Sequence, residues 1–392
     1  MTQPADSPVP KAPAGALSFA MVAGEASGDL LAGLLIEGLH SRWPQAHGVG
    51  IGGPRMLAQG FDAWWPHEKL AVRGYVEVLR HYRGIVAIRD QLHQRLLAQP
   101  PDVFIGVDAP DFNLDLESKL KAAGIPTVHF VCPSIWAWRP ERIEKIRRSV
   151  DHMLCIFPFE PALLAQAGIA ATYVGHPLAQ TIPMSPDRLA ARQALSLDAD
   201  RLVVAILPGS RQSEIEHLTP RFVQAAQIMQ RQNPDLQFVL PAIPSLQARI
   251  QALIDAQGGV PGLQLLHGQS HTALAACDLT LIASGTATLE AALFKRPMVI
   301  GYHMNWLSWQ IMKRQQLQPW VGLPNILSKD FVVPEFLQDR CTPEALARAC
   351  MDWLSAPERV DALLSRFEQL HINLQCDTAK LATHALEKVL SR

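Results

Sequence analysis

The feature of this sequence that most constrains its fold is an alternation of short apolar runs with longer segments of helical spacing. The runs are continuously apolar rather than alternating in polarity, which is typical of strands buried on both faces of a sheet. Strands of this kind separated by helices predict an α/β fold, in which helices cover a parallel sheet on both sides. A first series of runs occupies residues 17–23, 47–51, 102–107, 127–131, 152–157 and 172–174.

The alternation stops and then restarts, which predicts two domains. The interruption at 178–200 contains Pro183 and Pro186 and no strand-like run. A second series follows at residues 202–207, 237–240, 264–266, 279–283 and 298–300, and from Thr342 onward the spacing is helical. We expect a disordered leader at 1–16, a first domain at 17–177, a linker at 178–200, a second domain at 201–365 and a C-terminal helix at 366–392.

Length, charge and cysteine usage exclude several classes of protein. The 392 residues are 48% hydrophobic, enough for two cores at roughly 100–200 residues per domain. A net charge of −1 argues against general binding to nucleic acid. The six cysteines form no C-x-x-C pair, which favours scattered reduced thiols over disulfides or zinc. We expect no signal peptide and no membrane-spanning segment, because the N-terminus lacks an apolar core and long uncharged apolar runs are missing.

Two strand-to-helix loops in the second half have the composition of an anion site. After the run at 202–207 come Pro208, Gly209, Ser210 and Arg211, followed by a helical pattern. A glycine lets a phosphate approach the backbone, the start of a helix offers free N–H groups, and arginine adds a bidentate cation. The alternative is an ordinary turn with a surface arginine.

The run at 279–283 continues into a second loop of similar composition. Ser284, Gly285 and Thr286 open the next helical pattern, and Glu290 lies about one and a half turns into it. A carboxylate at that position can accept both hydroxyls of a ribose. The alternative is a helix cap with a solvated Glu290. Two such loops in one half favour a site for a nucleotide diphosphate.

The first half places acidic residues after its strands. Glu25, Ser27 and Asp29 lie in the loop after the first run, which is not a G-x-G-x-x-G fingerprint. Asp108 follows the run at 102–107 directly, where the loops of an open α/β sheet bind ligands. Asp111, shortly after it, is typical of a turn or a helix cap.

Two further patterns are interpreted as structural. Asp198 and Asp200 have the D-x-D spacing of a metal site on nucleotide sugars, but they precede their strand and are read as a turn. His267 and His271 are four residues apart without an acidic partner motif, which favours a loop pair over a metal site.

One segment combines apolar residues with arginines. The segment 72–97, which begins at Val72 and ends at Leu97, carries five arginines and two acidic residues. Residues 302–320 repeat the mixture with Trp306, Trp309 and Trp320 beside Lys313 and Arg314. Such mixtures suit contact with an anionic membrane surface. The alternative is an amphipathic helix packed on its sheet with a solvated basic face.

An ordered set of motifs resembles the lipid-A-disaccharide synthase family from about residue 17 to the C-terminus. The motifs are GEASGD (24–29), GIGGP (50–54), GVDAPDFN (106–113), PSIWAW (133–138), VGHP (174–177), LPGSR (207–211), ASGTA (283–287) and LPN (323–325). Only the Pro-rich leader lies outside the resemblance.

The resemblance implies a GT-B glycosyltransferase, with two Rossmann-like parallel-sheet domains facing a cleft. It implies transfer of diacylglucosamine from UDP-2,3-diacylglucosamine to 2,3-diacylglucosamine 1-phosphate, giving a β-1,6 disaccharide phosphate and UDP. It further implies catalysis without metal or cofactor, and a peripheral position on the cytoplasmic face of the inner membrane of Gram-negative bacteria.

The resemblance also implies roles for individual residues. Asp108 is the expected base, the first domain takes the acceptor, and the second takes the UDP-sugar. Acceptor-side candidates are Glu25, Ser27 and Asp29, and donor-site candidates are Gly209, Ser210, Arg211, Ser284, Gly285, Thr286, Glu290 and Asn325.

Other functions remain open on the residues alone. A sugar-nucleotide 2-epimerase would keep the donor site but need no second substrate, and a non-catalytic binding module would tolerate loss of Asp108. The helical C-terminus either crosses back to the first domain or swaps into a partner, which leaves a homodimer open.

Overall fold

The computed structural model describes residues 16–70, 75–315 and 317–391. The chain forms two compact units: residues up to Pro177 together with the C-terminal segment from Leu374 onward, and Leu178–Asn373. Of the expected leader, residues 1–15 lie outside the described residues, and so does 72–74, the start of the basic apolar segment.

Thirteen strands are described, and every expected run of apolar residues corresponds to one of them. They are β1 Ser18–Ala23, β2 His47–Gly52, β3 Asp62–Pro66, β4 Val103–Val107, β5 Thr127–Phe130, β6 His152–Cys155, β7 Ala171–Tyr173, β8 Val203–Leu207, β9 Gln237–Ala242, β10 Leu263–His267, β11 Leu279–Ala283, β12 Met298–Tyr302 and β13 Glu335–Leu337.

Helices fill the intervals between the strands. They are α1 Ala26–Arg42, α2 Pro54–Leu57, α3 Tyr75–Ala98, α4 Pro110–Ala122, α5 Arg142–Ser149, α6 Glu160–Ala165, α7 Pro177–Thr181, α8 Arg188–Ala194, α9 Gln212–Gln232, α10 Gln247–Ala256, α11 Ser270–Ala276, α12 Thr286–Leu293, α13 Trp306–Gln315, α14 Leu323–Ser328, α15 Pro343–Leu354, α16 Pro357–Leu374 and α17 Thr378–Leu390. Short 3-10 turns occupy His67–Lys69, Pro244–Leu246 and Gln338–Arg340.

The first unit is a seven-stranded parallel sheet with the order β3-β2-β1-β4-β5-β6-β7. Helices cover both faces, as the continuous apolar runs predict. On one face α1 and α17 pack on the sheet through residues such as Leu35 and Leu386. On the other face α3 and α4 do so through Leu92, Leu96 and Leu116. This is the predicted Rossmann-like architecture.

The second unit is a six-stranded parallel sheet with the order β10-β9-β8-β11-β12-β13. Its central strands β8 and β11 pair in register from Leu279 with Val204 to Ile282 with Leu207. Residues of β8, β11 and β12 are almost entirely inaccessible to solvent, which again requires helices on both faces.

The segment 178–200, expected to be a linker, is an integral part of the second unit. Its helix α8 is fixed by Arg192, which is 1% exposed and donates to Asp278 at 2.7 Å and to the Ala276 carbonyl at 3.0 Å. The segment was predicted to be a linker because it contains no strand-like apolar run. A buried arginine cannot be recognised from such a pattern. Asp198 forms the expected turn, since its carboxylate accepts the N–H of Asp200 at 2.8 Å.

The C-terminal residues form three helices, as the spacing from Thr342 onward predicts. The expected boundary between residues 365 and 366 falls inside α16, whose apolar pattern continues to Leu374. The last helix, α17, belongs to the first unit and packs against α1, where Arg42 pairs with Glu387. Within the described ranges, none of the helices is both long enough and apolar enough to cross a bilayer.

Candidate active site

Each sheet reverses its strand order at one place, and the predicted loops lie there. The chain proceeds from β1 to β2 on one side and β4 lies on the other, just as β8 lies between β9 and β11. In open α/β sheets, ligands bind beyond the carboxyl ends of strands at such a reversal. The loops after β1, β4, β8 and β11 are therefore the candidate binding loops of their respective units.

Asp108 follows β4 and lies on strained backbone. Its φ angle is 52°, and that of Ala109 is 43°. Both are in the left-handed region, which costs of order 1–3 kcal/mol for residues other than glycine. Two contacts enforce it: the N–H of Asp108 donates to the Phe130 carbonyl at 2.8 Å, and the Asn113 amide donates to the Asp108 carbonyl at 2.8 Å. Strain of this kind concentrates at functional sites.

The loop after β1 lies next to the Asp108 loop. A Cβ atom on Gly24 would be 3.1 Å from the Cβ of Ala109. Glu25 in this loop and Ser27 in the first turn of α1 are exposed, so both are available to a ligand. The structure therefore brings two of the acceptor-side candidates to the same sheet edge as Asp108.

Asp29, the third acceptor-side candidate, is buried and hydrogen-bonded to the protein backbone. It is 2% exposed, and its carboxylate accepts the N–H groups of Gly53 at 2.9 Å, Arg55 at 2.8 Å and Met56 at 3.2 Å. Those groups belong to the start of α2, whose positive end the carboxylate neutralises. Asp29 thus fixes the GIGGP loop to α1 and presents no free oxygen to a ligand.

A cavity of about 190 Å³ lies beside Asp108. Its wall is the chain after β5, beginning at Val131, whose φ of 80° is a clear outlier for a β-branched residue. The same wall contributes Trp138, Arg139 and Arg142. The cavity therefore combines a carboxylate, two guanidinium groups and an aromatic ring.

The buried carboxyl group of Glu160 holds the cavity wall in place through hydrogen bonds. The indole nitrogen of Trp136 donates to Glu160 at 3.0 Å, and the N–H of Phe157 donates to the other carboxyl oxygen at 3.0 Å. Burial raises the pKa of Glu160 to about 7. The rings of Phe157 and Phe159 pack edge-on against Trp136. These contacts hold the PSIWAW motif in one conformation.

A second buried pair supports the strand ends. Glu117 on α4 and His129 on β5 are both fully buried, and their side chains are 2.8 Å apart. Glu117 also accepts a hydrogen bond from the Gly106 backbone, and burial raises the pKa of its carboxyl group. The pair joins β4, β5 and α4 directly before the Asp108 loop.

In the second unit, the loop after β8 is the predicted phosphate loop. Gly209 has a φ of 115°, which strains any residue with a side chain, and α9 begins at Gln212. The first N–H groups of a helix lack intrahelical acceptors and attract anions. Arg211 stands at this end with 78% of its side chain exposed.

Glu214 already occupies part of that anion site. Its carboxylate accepts the N–H groups of Ser210 at 3.0 Å and Arg211 at 3.2 Å, and the Arg211 guanidinium lies 3.3 Å from it. The N–H groups left for an anion are those of the first helical residues, Gln212 and Ser213.

The loop after β11 offers an exposed helix start. Gly285 has φ 151° and ψ −166°, a conformation essentially restricted to glycine, and both Gly285 and Thr286 are exposed. The Ser284 hydroxyl instead donates to the Val321 carbonyl at 2.9 Å. Ser284 therefore ties this loop to its neighbour, and Thr286 is the hydroxyl available to a ligand.

Glu290 on α12 has a partner that sequence reasoning did not assign to it. The Nε2 atom of His271 lies 3.4 Å from the Glu290 carboxylate, and the imidazole packs edge-on against Phe294. The hydrogen bond to Glu290 raises the pKa of His271. The other histidine, His267, contacts the amide of Gln247. The expected loop pair is wrong in its placement, because His267 ends β10 and His271 lies on α11.

Asn325 is buried, and its hydrogen-bonding capacity is used within the protein. Its oxygen accepts the N–H groups of Val332 at 2.8 Å and Val333 at 2.9 Å, and its nitrogen donates to the Val333 carbonyl and to Glu335. Glu335 in turn accepts the N–H groups of Val321 and Gly322 at 2.9 Å each. Asn325 is therefore placed to position the 321–335 chain, to which Ser284 is tied.

The described part of the basic apolar segment is a packed amphipathic helix. In α3, Leu92 and Leu96 are buried, Arg89 pairs with Asp115 at 2.7 Å, and the Arg95 guanidinium stacks 4.0 Å from the Trp64 ring. These contacts match the packed-helix alternative for residues 83–97. In the second unit, by contrast, Trp306 at the start of α13 is 71% exposed.

Several residues of these sites had no role assigned from the sequence, among them Arg139, Arg142, Glu214 and Glu335, and the supporting residues Glu117, His129 and Glu160. The signal that could have found the arginines is the position of the PSIWAW motif, directly after β5 at the binding edge of the sheet. For Glu214, the signal is its place three residues after Arg211, at the end of the first helical turn.

Two Rossmann-like parallel sheets, each with polar loops at its point of reversal, define a protein of the GT-B glycosyltransferase fold. Solved structures agree: the UDP-GlcNAc 2-epimerase of Neisseria meningitidis bound to UDP-GlcNAc is similar with a TM-score of 0.64 at 11% identity, covering 96% of this chain and 100% of that one. The MurG of Acinetobacter baumannii is similar with a TM-score of 0.57 at 15% identity, over 96% and 100%.

The sequence model of a protein family, described as lipid-A-disaccharide synthetase, matches residues 19–386 of this chain. The lipid-A-disaccharide synthase of Albidiferax ferrireducens is 66% identical over 379 residues, covering 95% of this chain and 97% of the relative. The chain therefore belongs to the lipid-A-disaccharide synthetase family, a family of hexosyltransferases.

Proposed function

We propose that this protein is an inverting hexosyltransferase that works without a metal ion. It transfers 2,3-diacylglucosamine from UDP-2,3-diacylglucosamine to 2,3-diacylglucosamine 1-phosphate. The products are the β-1,6-linked lipid A disaccharide 1-phosphate and UDP. The observation that carries this proposal is membership of the family over residues 19–386.

The first unit is proposed to take the acceptor, with Asp108 as general base. The primary hydroxyl of the acceptor is a poor nucleophile until its proton is removed. The carboxylate of Asp108 takes that proton as the oxygen attacks the anomeric carbon of the donor. Such assistance contributes about 10²–10⁴-fold to the rate. The position of Asp108 on strained backbone, beside a cavity, supports this role.

The second unit is proposed to take the UDP-sugar. The bond between the anomeric carbon and the diphosphate breaks on the face opposite the attack, and its electron pair goes to the leaving UDP. The start of α9 and the guanidinium of Arg211 stabilise the charge that develops there. Glu290 is proposed to bind the ribose hydroxyls, and Thr286 and Gly285 to contact the donor from the next loop.

The site of action is proposed to be the cytoplasmic face of the inner membrane of a Gram-negative bacterium. Both proposed substrates carry acyl chains, so they reside in a lipid phase. Contact with anionic lipid is proposed through residues 302–320, where Trp306 is exposed, and through the segment 72–97 outside its packed residues 83–97.

An assay of UDP release tests this function against its alternatives. The protein is incubated with UDP-2,3-diacylglucosamine, with and without the acyl sugar phosphate. We expect UDP release that depends on the acceptor, together with a disaccharide of β configuration. Isomerisation or UDP release without acceptor would favour an epimerase, the activity named for one structural neighbour. Binding without turnover would favour a binding module.

A further inference from the structure

The cavity beside Asp108 is lined by two arginine side chains that a neutral hydroxyl compound does not need. Arg139 and Arg142 both contribute to its wall, and both are half-buried. The proposed base removes a proton from a hydroxyl, a task that requires no cation. The two guanidinium groups therefore indicate that the molecule bound next to Asp108 also carries an anionic group.

Arg139 is held toward this space without a carboxylate to neutralise it. Its φ of 53° lies in the left-handed region, and its guanidinium stacks 4.5 Å from the ring of Trp138. In the part of the chain that the structure describes, Arg139 makes no ion pair within 4.0 Å. A half-buried guanidinium that has no carboxylate partner is stabilised when an anionic ligand binds to it.

Arg142 has a carboxylate partner that an incoming anion can replace. Its Nη2 atom lies 2.7 Å from Asp111, but the Asp111 side chain is 82% exposed while that of Arg142 is 19% exposed. Ion pairs with such an exposed partner contribute little to stability. A phosphate can therefore replace Asp111 as the partner of the Arg142 guanidinium, and the free energy of unfolding changes little.

The size of the cavity limits what can enter it. Its volume of about 190 Å³ is below the range of roughly 300–1,000 Å³ that is usual for drug-sized ligands. The cavity can hold a sugar head group but not two acyl chains as well. Trp138 at its wall is an exposed large apolar residue, a suitable neighbour for the lipid part outside.

We propose that Arg139 and Arg142 form the subsite for the phosphate monoester of the acceptor sugar, next to Asp108. The guanidinium fork matches phosphate oxygens with two parallel hydrogen bonds, and two forks can neutralise a dianion. This inference rests on the proposed transferase function and adds the residues that recognise the acceptor. They fix which end of the acceptor is held, so that its free hydroxyl is presented to the base.

The test compares two acceptors that differ only in the phosphate. kcat/KM is measured for diacylglucosamine 1-phosphate and for the same compound without its phosphate. The proteins are the full chain and its Arg139→Gln, Arg142→Gln and double variants. Arg148→Gln is the matched control, because Arg148 lies on α5 together with Arg142. It is 72% exposed and pairs with Glu144 outside the cavity. Thermal unfolding and UDP affinity are recorded for each variant.

We expect the wild type and Arg148→Gln to prefer the phosphorylated acceptor, and each cavity variant to lose about 10–100-fold of that preference. The loss should appear in KM for the phosphorylated acceptor, with the activity on the other acceptor retained. An undiminished preference in the double variant would overturn the inference, as would an equal loss on both acceptors, which indicates a structural role.

The same experiment distinguishes failure of the proposed transferase function from failure of the phosphate subsite. If the wild type transfers to neither acceptor, the transferase assignment is wrong. If it transfers to both equally well, the assignment stands and the phosphate subsite is wrong. Arg142→Lys adds a further readout: it keeps the charge but not the fork, so it should retain only part of the preference.

Discussion

The Oε2 atom of Glu214 lies 3.0 Å from the backbone nitrogen of Ser210, so a carboxylate of the protein occupies an N–H group of the predicted phosphate loop. Glu214 also lies 3.3 Å from the Arg211 guanidinium. The loop conformation and the charge of the proposed donor site therefore depend on the same side chain. The two effects can be separated by substitution.

Replacing Glu214 by Gln should maintain or tighten UDP binding. The amide oxygen still accepts the loop N–H groups, while a negative charge near the diphosphate disappears and Arg211 is released. Glu214→Ala removes the acceptor as well and should weaken UDP binding about tenfold, since hydrogen bonds to charged groups contribute about 1.5–3 kcal/mol. Calorimetric titration with UDP measures both. Equal weakening in both variants would mean that the carboxylate charge itself is required.

Replacing Arg211 by Ala should reduce turnover by about 10²–10³-fold, the usual effect of losing a stabiliser of developing charge. The guanidinium is exposed and can reach a ligand at the start of α9. Arg249→Ala is the control, because Arg249 is also exposed and pairs with Glu216 in the same unit. Steady-state rates of both variants decide the question. A near-normal rate for Arg211→Ala would exclude it as a stabiliser of the leaving group.

Replacing Asp108 by Asn should reduce turnover by about 10²–10⁴-fold while UDP affinity is retained. The substitution keeps the shape and removes the basic carboxylate. Asp111→Asn should have a smaller effect, because Asp111 is an exposed residue in the first turn of α4. Turnover and UDP affinity are measured side by side. Loss of UDP binding in Asp108→Asn would instead indicate a structural role.

The contact between His271 and Glu290 should make stability depend on pH. The pKa of His271 is raised above its ordinary value of 6.5, chiefly by its hydrogen bond to Glu290. Its stabilising contribution is therefore fully present below pH 6.5 and is lost as the pH rises through the raised value. The Tm difference between wild type and His271→Gln should be larger at pH 5.5 than at pH 8.5.

His267→Gln is the control for this prediction, since His267 contacts an amide rather than a carboxylate. Its substitution removes no ion pair. Glu290→Gln should remove the pH dependence contributed by His271. A Tm difference for His271→Gln that is the same at pH 5.5 and pH 8.5 would contradict the ion pair.

Replacing Trp306 by Ser should weaken binding to vesicles of anionic lipid, because an exposed indole inserts at a lipid interface. Leu189→Ser is the control, since Leu189 is a comparably exposed apolar residue outside the basic apolar segments. The electrostatic part of the binding should fall in high salt, where charges are screened within about 10 Å at 0.1 M. Equal vesicle binding of both variants in a sedimentation assay would remove α13 from the membrane contact.

The sheets were predictable from the sequence, except for one edge strand of each. The expected apolar runs all became strands, because buried strands are continuously apolar. The two strands without a sequence signal, Asp62–Pro66 and Glu335–Leu337, are both at sheet edges and only half-buried. An edge strand has one partner and an exposed side, so its composition resembles that of a loop.

The candidate loops were predictable, but the partners inside them were not. Asp108, Gly209 and Gly285 follow strands, and a strand end can be read from a local pattern. The environments of Asp29 and Asn325 depend on residues that the chain brings together only in the fold. An isolated acidic or amide residue in a motif can equally contact a ligand or a backbone N–H, and burial decides between these roles.

The buried side chain of Asn325 and the half-buried side chain of Glu335 have a consequence for solvent exchange. Together they accept the N–H groups of Val321, Gly322, Val332 and Val333, all of which lie outside the strands and helices. Amide hydrogens in connecting segments ordinarily exchange with deuterium quickly, because water reaches them without any opening of the structure. These four should exchange as slowly as those of a central strand, since they are released only when the Asn325 amide and the Glu335 carboxyl group separate from the backbone.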